Sequence, residues 1–210
     1  MGLFNKKKMD EPRQAVCGLS SLFMNDESEG DHSKEAMLDY QLSYLLRLAN
    51  TSEFGDRLAR HTLMKLIEET PILNPYGYVR NLNIESGAVW KQWQHIDLIA
   101  EVSADCGAGV KKHVIVIENK AYTCIHDNQL NRYKQIVEDY YHEQEVIIHY
   151  WVITFYDNDS DGFESIAKQC EESGCWKCLS FEDVVDLTDE ERQEGTHNEI
   201  IDEFWIKKWY

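Results

Sequence analysis

The chain has 210 residues, 43% of them hydrophobic and 11% aromatic, which is enough to bury the core of one globular domain. This composition excludes a wholly disordered chain, and no apolar run reaches the roughly 20 residues that a membrane-spanning helix needs. The formal net charge of −17 argues against tight, sequence-independent binding to a polyanion, because such binders present a basic surface.

Residues 1–32 are polar and are predicted to form a flexible arm, with one short helix near residues 14–24. Three lysines at positions 6–8 are not followed by an apolar stretch, so no secretory signal is predicted and the expected location is the cytoplasm. Residues 33–210 are predicted to form the single folded domain. We expect its cysteines to be reduced, as in other cytoplasmic proteins.

Two helices are predicted before the first strand. Apolar residues recur at helical spacing over residues 33–50, with Ser33 as the N-cap. A second helix is predicted over residues 54–69, and the Asn74-Pro75-Tyr76-Gly77 turn follows it.

The pattern then changes to strands alternating with helices. The segment HVIVIENK, residues 113–120, is rich in β-branched residues and is predicted to be a buried strand. The other predicted strands are residues 78–85, 95–102, 145–156 and 176–179, and the other helices are residues 127–143, 163–172, 181–187 and 198–210. This order predicts an α/β fold with a central mixed β-sheet flanked by α-helices.

Two of these strands are predicted to form an antiparallel hairpin that gathers charged side chains. A turn centred between Gly107 and Ala108 pairs residues whose numbers sum to 215, so Asp97 lies opposite Glu118 with Cβ atoms about 5 Å apart. Lys120 follows Glu118 by two residues and therefore shares its face of the sheet.

The chemistry of this cluster favours a metal ion. Two neighbouring carboxylates repel each other, and a hard divalent cation such as Mg²⁺ relieves that repulsion. Lys120 beside the ion could stabilise charge that develops on a reacting group. A solvated charged stripe is the alternative interpretation, since a Glu-x-Lys pattern is common. The position of these charges within apolar strands favours the functional interpretation.

The next helix adds two polar residues at helical spacing. Gln129 and Tyr133 lie one turn apart near its start, on one face, and could look back towards the metal site. The alternative is that Tyr133 belongs to the core and Gln129 to the surface.

Three segments together resemble the motifs of the PD-(D/E)XK nuclease superfamily, in particular its bacterial and phage members with an IENK…QLxRY pattern. The segments are HIDLI with Asp97, VIVIENK with Glu118 and Lys120, and QLNRY with Gln129 and Tyr133. The resemblance extends over residues 37–187. It implies a restriction-endonuclease-like core and a metal-dependent nuclease that cleaves phosphodiester bonds, in DNA rather than RNA, with Mg²⁺ or Mn²⁺.

The resemblance also implies roles for individual residues. Asp97 and Glu118 would bind the metal, with the backbone carbonyl of Asn119 as a further ligand. Lys120 would take part in catalysis. Gln129 would lie beside the active site or the nucleic acid.

An acidic residue from the first helix would complete the metal site. In the resembling proteins it stands four positions before a serine, and Asp39 before Ser43 fits this spacing, although Glu is usual there. Glu35 is the second choice. Ile96 stands where the superfamily motif has proline.

Other polar residues have a functional and an ordinary interpretation. Lys111 and Lys112, at the predicted hairpin tip, could contact phosphates or could be merely solvated. Cysteines 170, 175 and 178 could bind a metal with Cys17 as the fourth ligand, but their spacing favours ordinary thiols. The tryptophans are expected in the core or in an interface.

The partners expected are nucleic acid and either a second copy of the chain or a protein partner. The closing segment, residues 198–210, is expected to pack on the domain or on a second subunit. The alternative function is a catalytically silent nuclease-fold module that binds a protein, or a subunit that cuts only within a larger complex.

Overall fold

A computed structural model of the protein describes residues 14–15, 34–49, 56–126 and 128–207. Gln14–Ala15 is a strand that pairs with Val89 and Ala88, so the predicted helix is wrong at those two residues. The rest of the predicted arm, residues 1–13 and 16–32, and the remainder of that helix lie outside the described residues.

The described residues alternate between helices and strands. The strands are β1 (Gln14–Ala15), β2 (Asn83–Trp93), β3 (Ile96–Asp105), β4 (Val110–Lys120), β5 (Ile147–Thr154) and β6 (Trp176–Ser180). The helices are α1 (Lys34–Leu48), α2 (Arg57–Leu66), α3 (Gln129–Tyr141), α4 (Asp161–Ser173), α5 (Phe181–Val184), α6 (Asp189–Glu194) and α7 (Glu199–Ile201), the last continued by a π-helical turn, Asp202–Ile206.

The strands form one mixed sheet in the order β1-β2-β3-β4-β5-β6. The pairs from β1 to β4 are antiparallel, and β5 is parallel to both β4 and β6. Parallel strands need a crossover, and α3 and α4 supply the two that are required. The predicted α/β fold with a central mixed sheet and flanking helices is therefore confirmed.

Each face of the sheet has its own hydrophobic core. Alternate side chains of β3 and β4, among them Leu98 and Ile117, pack against α1 and α2. The residues between them, among them Ile99 and Val116, pack against α3 and α4. The central strands are thus buried on both sides, which is typical of a sheet covered by two helical layers.

The strand before the β3–β4 hairpin, β2, differs from its prediction. A strand was expected over residues 78–85, but β2 begins at Asn83 and continues to Trp93. Its turn into β3 consists of Gln94 and His95, which have φ angles of 53° and 68°. Two residues with positive φ between paired strands are typical of a type I′ turn, which usually carries Asn-Gly. Gln-His gives no such signal, so the sequence did not reveal the turn.

This turn provides a stability prediction. The double substitution Gln94→Asn with His95→Gly should raise the free energy of unfolding by about 1 kcal/mol, since side chains other than glycine and asparagine are strained in the left-handed region. Thermal unfolding should show a rise in Tm of roughly 2–4 °C for a chain of this size. A fall in Tm would show that the turn does not adopt this geometry.

Other elements lie close to their predicted positions. α2 begins later than predicted, after Asp56, whose side chain accepts a hydrogen bond from the Ala59 N–H group. α6 was not predicted, and Thr188 and Glu191 form the capping box that starts it. The closing segment is helical as far as Ile206, and residues 208–210 lie outside the described residues. In the described parts of the chain, no helix combines the length and hydropathy of a membrane span.

Candidate active site

The β3–β4 register is the one the sequence predicted. Leu98 pairs with Ile117, and every further pair along the hairpin also sums to 215. Asp97 and Glu118 are the next residues on each strand beyond the Leu98–Ile117 pair. By alternation they continue the face that carries Ile99 and Val116, which is the side covered by α3.

Asp97 is held at the end of the hairpin by two hydrogen bonds. Its Oδ1 atom accepts from Gln92 Nε2 at 3.0 Å, and its Oδ2 atom accepts from the backbone N–H of Asn119 at 2.7 Å. The carboxylate is half-buried. It is therefore fixed against the C-terminal end of β4 and still accessible from solvent.

Glu118 forms a buried ionic cluster with two neighbours. Its Oε1 atom accepts from Lys120 Nζ at 2.7 Å and from Gln129 Nε2 at 2.6 Å. All three side chains are buried. Charges at such a depth are stable only as a hydrogen-bonded pair, so each of Glu118 and Lys120 depends on the other.

Gln129 and Tyr133 join α3 to this cluster. Gln129 Nε2 also donates to Tyr133 Oη at 3.2 Å, and Tyr133 Oη donates to the carbonyl of His95 at 2.7 Å. The interpretation of Gln129 as a surface residue was wrong, because its side chain is buried. Tyr133 belongs to the core and also anchors the β2–β3 turn.

Asp39 reaches the same end of the sheet from α1, on the opposite face. Its Oδ1 atom accepts from Asn119 Nδ2 at 2.6 Å, and its side chain is only 1% exposed. Burial and, to a smaller extent, the charge of Asp97 raise the pKa of Asp39 well above its usual value. Asn119 thus connects the two aspartates, through its backbone to Asp97 and through its side chain to Asp39. The side chain of Glu35 lies outside the described residues.

Two polar residues of β2 also belong to this end of the sheet and were not predicted. Lys91 is buried, with Nζ 4.5 Å from the centroid of the Tyr40 ring, and its charge lowers the pKa of Asp39. Gln92 donates to Asp97, and its hydrogen bond to Asp39 also lowers the pKa of that carboxyl. Lys91 falls two residues after buried Val89, an inward position that could have revealed it.

The family model of the PD-(D/E)XK nuclease superfamily matches residues 18–210. The chain belongs to the PD-(D/E)XK nuclease superfamily. No curated protein and no solved structure is significantly similar to it. This match confirms the superfamily that the motifs resemble, and the mixed sheet is consistent with a restriction-endonuclease-like core.

Two of the predicted site residues lie far from the others in this PD-(D/E)XK chain. Lys111 and Lys112 are at the opposite end of β4, nine and eight residues before Lys120, which is about 30 Å along a strand. Lys112 Nζ is 2.8 Å from Glu101, and Lys111 Nζ is 3.9 Å from Glu69. The structure does not bring these lysines to the acidic cluster.

The oxygen-rich donor set suits a hard divalent cation. Asp39 and Asp97 repel each other, and Asn119 Oδ1 is buried without a hydrogen-bond partner among the described residues. Within the same described residues, however, no three acidic, histidine or cysteine side chains converge closely enough to bind a metal ion as they stand. Each of the carboxylates of Asp39, Asp97 and Glu118 accepts a hydrogen bond from a protein group, in Glu118 from Lys120 Nζ. An ion bound here would compete with these bonds.

The cysteines of the C-x4-C-x2-C segment lie in α4, in the turn after it and in β6. Cys170 is inside α4, as predicted, and is buried, while Cys175 and Cys178 are half-buried. The pKa of the Cys170 thiol is raised by a hydrogen bond with Cys178 and, to a smaller extent, by burial. These thiols pack in the core with α3. Cys178 is in register with Glu118 across Val152 of β5, two strand spacings or about 10 Å away.

Proposed function

We propose that this PD-(D/E)XK protein is a metal-dependent nuclease that hydrolyses phosphodiester bonds of nucleic acid. The substrate that we propose is DNA rather than RNA. The observation that carries the proposal is the buried cluster of Glu118, Lys120 and Gln129 beside Asp97 at one end of the sheet. Burying an ion pair stabilises a fold weakly at best, and replacing it with apolar residues is often neutral. A functional role explains its position better.

The carboxylates of Asp39, Asp97 and Glu118 and the backbone carbonyl of Asn119 are the groups that would hold Mg²⁺ or Mn²⁺. When bound, such an ion polarises a phosphoryl oxygen and lowers the pKa of a coordinated water. The acids come from α1, β3 and β4, so the packing of the helix on the sheet sets their spacing. This arrangement supports the proposed cofactor.

Lys120 is the residue proposed to act on the phosphate. Its ammonium group is fixed by Glu118 at 2.7 Å and buried, so its charge is screened little by water. Once released by Glu118, it can stabilise negative charge on the phosphoryl oxygens. Gln129 would keep Glu118 in position, because Tyr133 and the His126 N–H group fix its amide.

The proposal is tested by a panel of substrates. Plasmid, linear duplex DNA, single-stranded DNA and RNA would each be incubated with the protein and Mg²⁺, Mn²⁺ or EDTA. Metal-dependent hydrolysis of at least one substrate is expected, and Glu118→Gln should remove it. Glu143→Gln is the matched control, since Glu143 is exposed. Hydrolysis that survives in Glu118→Gln would refute the assignment.

The net charge of −17 supports a second candidate: a silent or partner-dependent module of the same fold. Calorimetry with Mn²⁺ separates the possibilities, with Asp97→Asn as the variant that should abolish binding. A silent module would bind no ion. A subunit that needs a protein partner or a second copy would bind the ion and yet cleave none of the substrates by itself.

A further inference from the structure

Aromatic side chains gather immediately beyond Lys120. We call Tyr122, Phe155, Tyr156 and Phe181 the aromatic platform. The Tyr122 ring lies 5.9 Å from that of Phe155 and 5.4 Å from that of Tyr156, and Phe155 lies 4.9 Å from Phe181. The backbone N–H of Phe155 donates to the carbonyl of Lys120 at 3.3 Å, which attaches the platform to the end of β4.

Tyr122 is presented to solvent in a strained conformation. The residue is 55% exposed, and its φ angle of 63° places a bulky side chain in the left-handed region, which is strained for any residue other than glycine or asparagine. Its N–H donates to the carbonyl of Lys120 at 3.1 Å, and its own carbonyl accepts from Tyr156 Oη at 3.1 Å. The surrounding structure therefore imposes this conformation two residues from the proposed catalytic lysine.

Tyr156 is supported in turn by a glycine. A Cβ atom on Gly162 would lie 2.4 Å from two atoms of the Tyr156 ring, so this ring fits against α4 only because residue 162 has no side chain. Because Tyr156 holds the Tyr122 carbonyl and packs edge-on against its ring, Gly162 indirectly positions Tyr122.

We propose that the aromatic platform stacks an unpaired base next to the scissile phosphate, so that the substrate is single-stranded or frayed where it is cut. This inference deepens the proposed nuclease function and rests on it. Any base can stack on an aromatic ring, because every base has a flat π-face. A base that is paired and stacked within a duplex does not expose this face to the protein.

The charges favour a base over a phosphate as the occupant. Asp157 and Glu182 line the platform beside Arg192, so its surroundings are not basic. The lysines of the hairpin tip are at the other end of the sheet. Duplex binding depends on phosphate contacts, whereas stacking of an unpaired base on aromatic rings adds binding energy that does not come from phosphate contacts. The platform can therefore contribute to binding in a chain of net charge −17.

The test measures binding of a labelled single-stranded oligonucleotide and of the matching duplex by fluorescence anisotropy. The full chain would carry Glu118→Gln, with Mg²⁺ present, to prevent cleavage. The single strand should bind more tightly than the duplex, and Tyr122→Ala should weaken its binding roughly 10-fold or more. Tyr122→Phe should retain binding because the ring remains.

Tyr76 provides the matched control. It is a tyrosine in another turn, 81% exposed, and lines a different surface beside Gly77 and Tyr78. Tyr76→Ala should leave binding unchanged. Gly162→Ala should weaken single-strand binding by displacing Tyr156, although Tyr122 is intact.

The outcomes separate this inference from the proposed function. If cleavage occurs but Tyr122→Ala binds like Tyr76→Ala, or the duplex binds equally well, the platform has another occupant, such as residues 208–210 or an apolar segment of a partner protein, and the inference is overturned. If the single strand binds through Tyr122 but no substrate is cut with any metal, base stacking is supported and the nuclease proposal fails.

Discussion

Replacing Lys120 with methionine should lower the rate of phosphodiester cleavage roughly 100- to 1000-fold, the loss typical of removing one preorganised electrostatic group from an active site. Methionine keeps most of the side-chain volume and removes the charge. The buried ammonium group lies 2.7 Å from Glu118, in a site where water screens it little. Single-turnover rates with saturating Mg²⁺ are the measurement, because they isolate the chemical step from product release.

Lys111→Met is the control for this substitution, since it removes a lysine from the same strand at the opposite end of the sheet. Its single-turnover rate should match that of the unchanged protein. A rate for Lys120→Met within about threefold of that control would exclude an electrostatic contribution of the size given above.

Folding stability distinguishes a lost catalytic group from a lost fold. Lys120→Met leaves the Glu118 carboxylate buried without its ammonium partner, so the free energy of unfolding should fall. The double variant with Glu118→Gln removes both charges and should regain part of that stability. Because the double variant also lacks the proposed metal ligand Glu118, its activity should be no higher than that of Lys120→Met although its stability is higher.

The register of the hairpin was predictable because both faces of its strands are buried. A slip of one residue would move the side chains of the slipped strand, for example that of Ile117, from the core on one face of the sheet to the core on the other face. The two glycines at the tip, Gly107 and Gly109, have positive φ and fix where the chain reverses. Apolar alternation and a glycine turn together therefore predicted the relation between Asp97 and Glu118.

The contacts across the strand ends were not predictable in the same way. Alternation assigns the Asn119 side chain to the α1 side, but it cannot show that this amide reaches Asp39, 80 positions away along the chain. Lys91 likewise stands between Trp90 and Trp93 in the sequence of β2, and its approach to Tyr40 depends on how α1 packs on the sheet. Such contacts are set by tertiary packing and leave no periodic signal in the sequence.

Acidification from pH 7 to pH 4.5 should lower the free energy of unfolding by on the order of 3 kcal/mol through one buried histidine pair. His113 Nδ1 and His149 Nε2 are 3.1 Å apart, and His149 Nδ1 is 3.1 Å from Glu68 Oε2. If His149 Nδ1 donates to Glu68, its Nε2 must accept, so His113 Nδ1 is the donor of the pair. A proton on either ring disturbs this pattern.

The pKa values give the direction and the pH range. Burial lowers the pKa of each imidazole from 6.5 to about 4, and the neighbouring His149 contributes to the shift of His113. Above pH 6.5 both rings are neutral in the folded and the unfolded chain. Between pH 6.5 and pH 4 the unfolded chain binds protons that the folded chain does not, so stability is lost as the pH falls through this range.

Chemical denaturation at half-unit steps of pH measures this dependence. The double variant His113→Gln with His149→Gln should be less stable at pH 7, since it disrupts a buried hydrogen-bonded pair, but its stability should vary less between pH 6.5 and pH 4. His142 is an exposed histidine at the C-terminal end of α3 and serves as the control. His142→Gln should leave the dependence of stability on pH unchanged. If the double variant keeps the full slope, carboxylates rather than this pair govern the acid response of the fold.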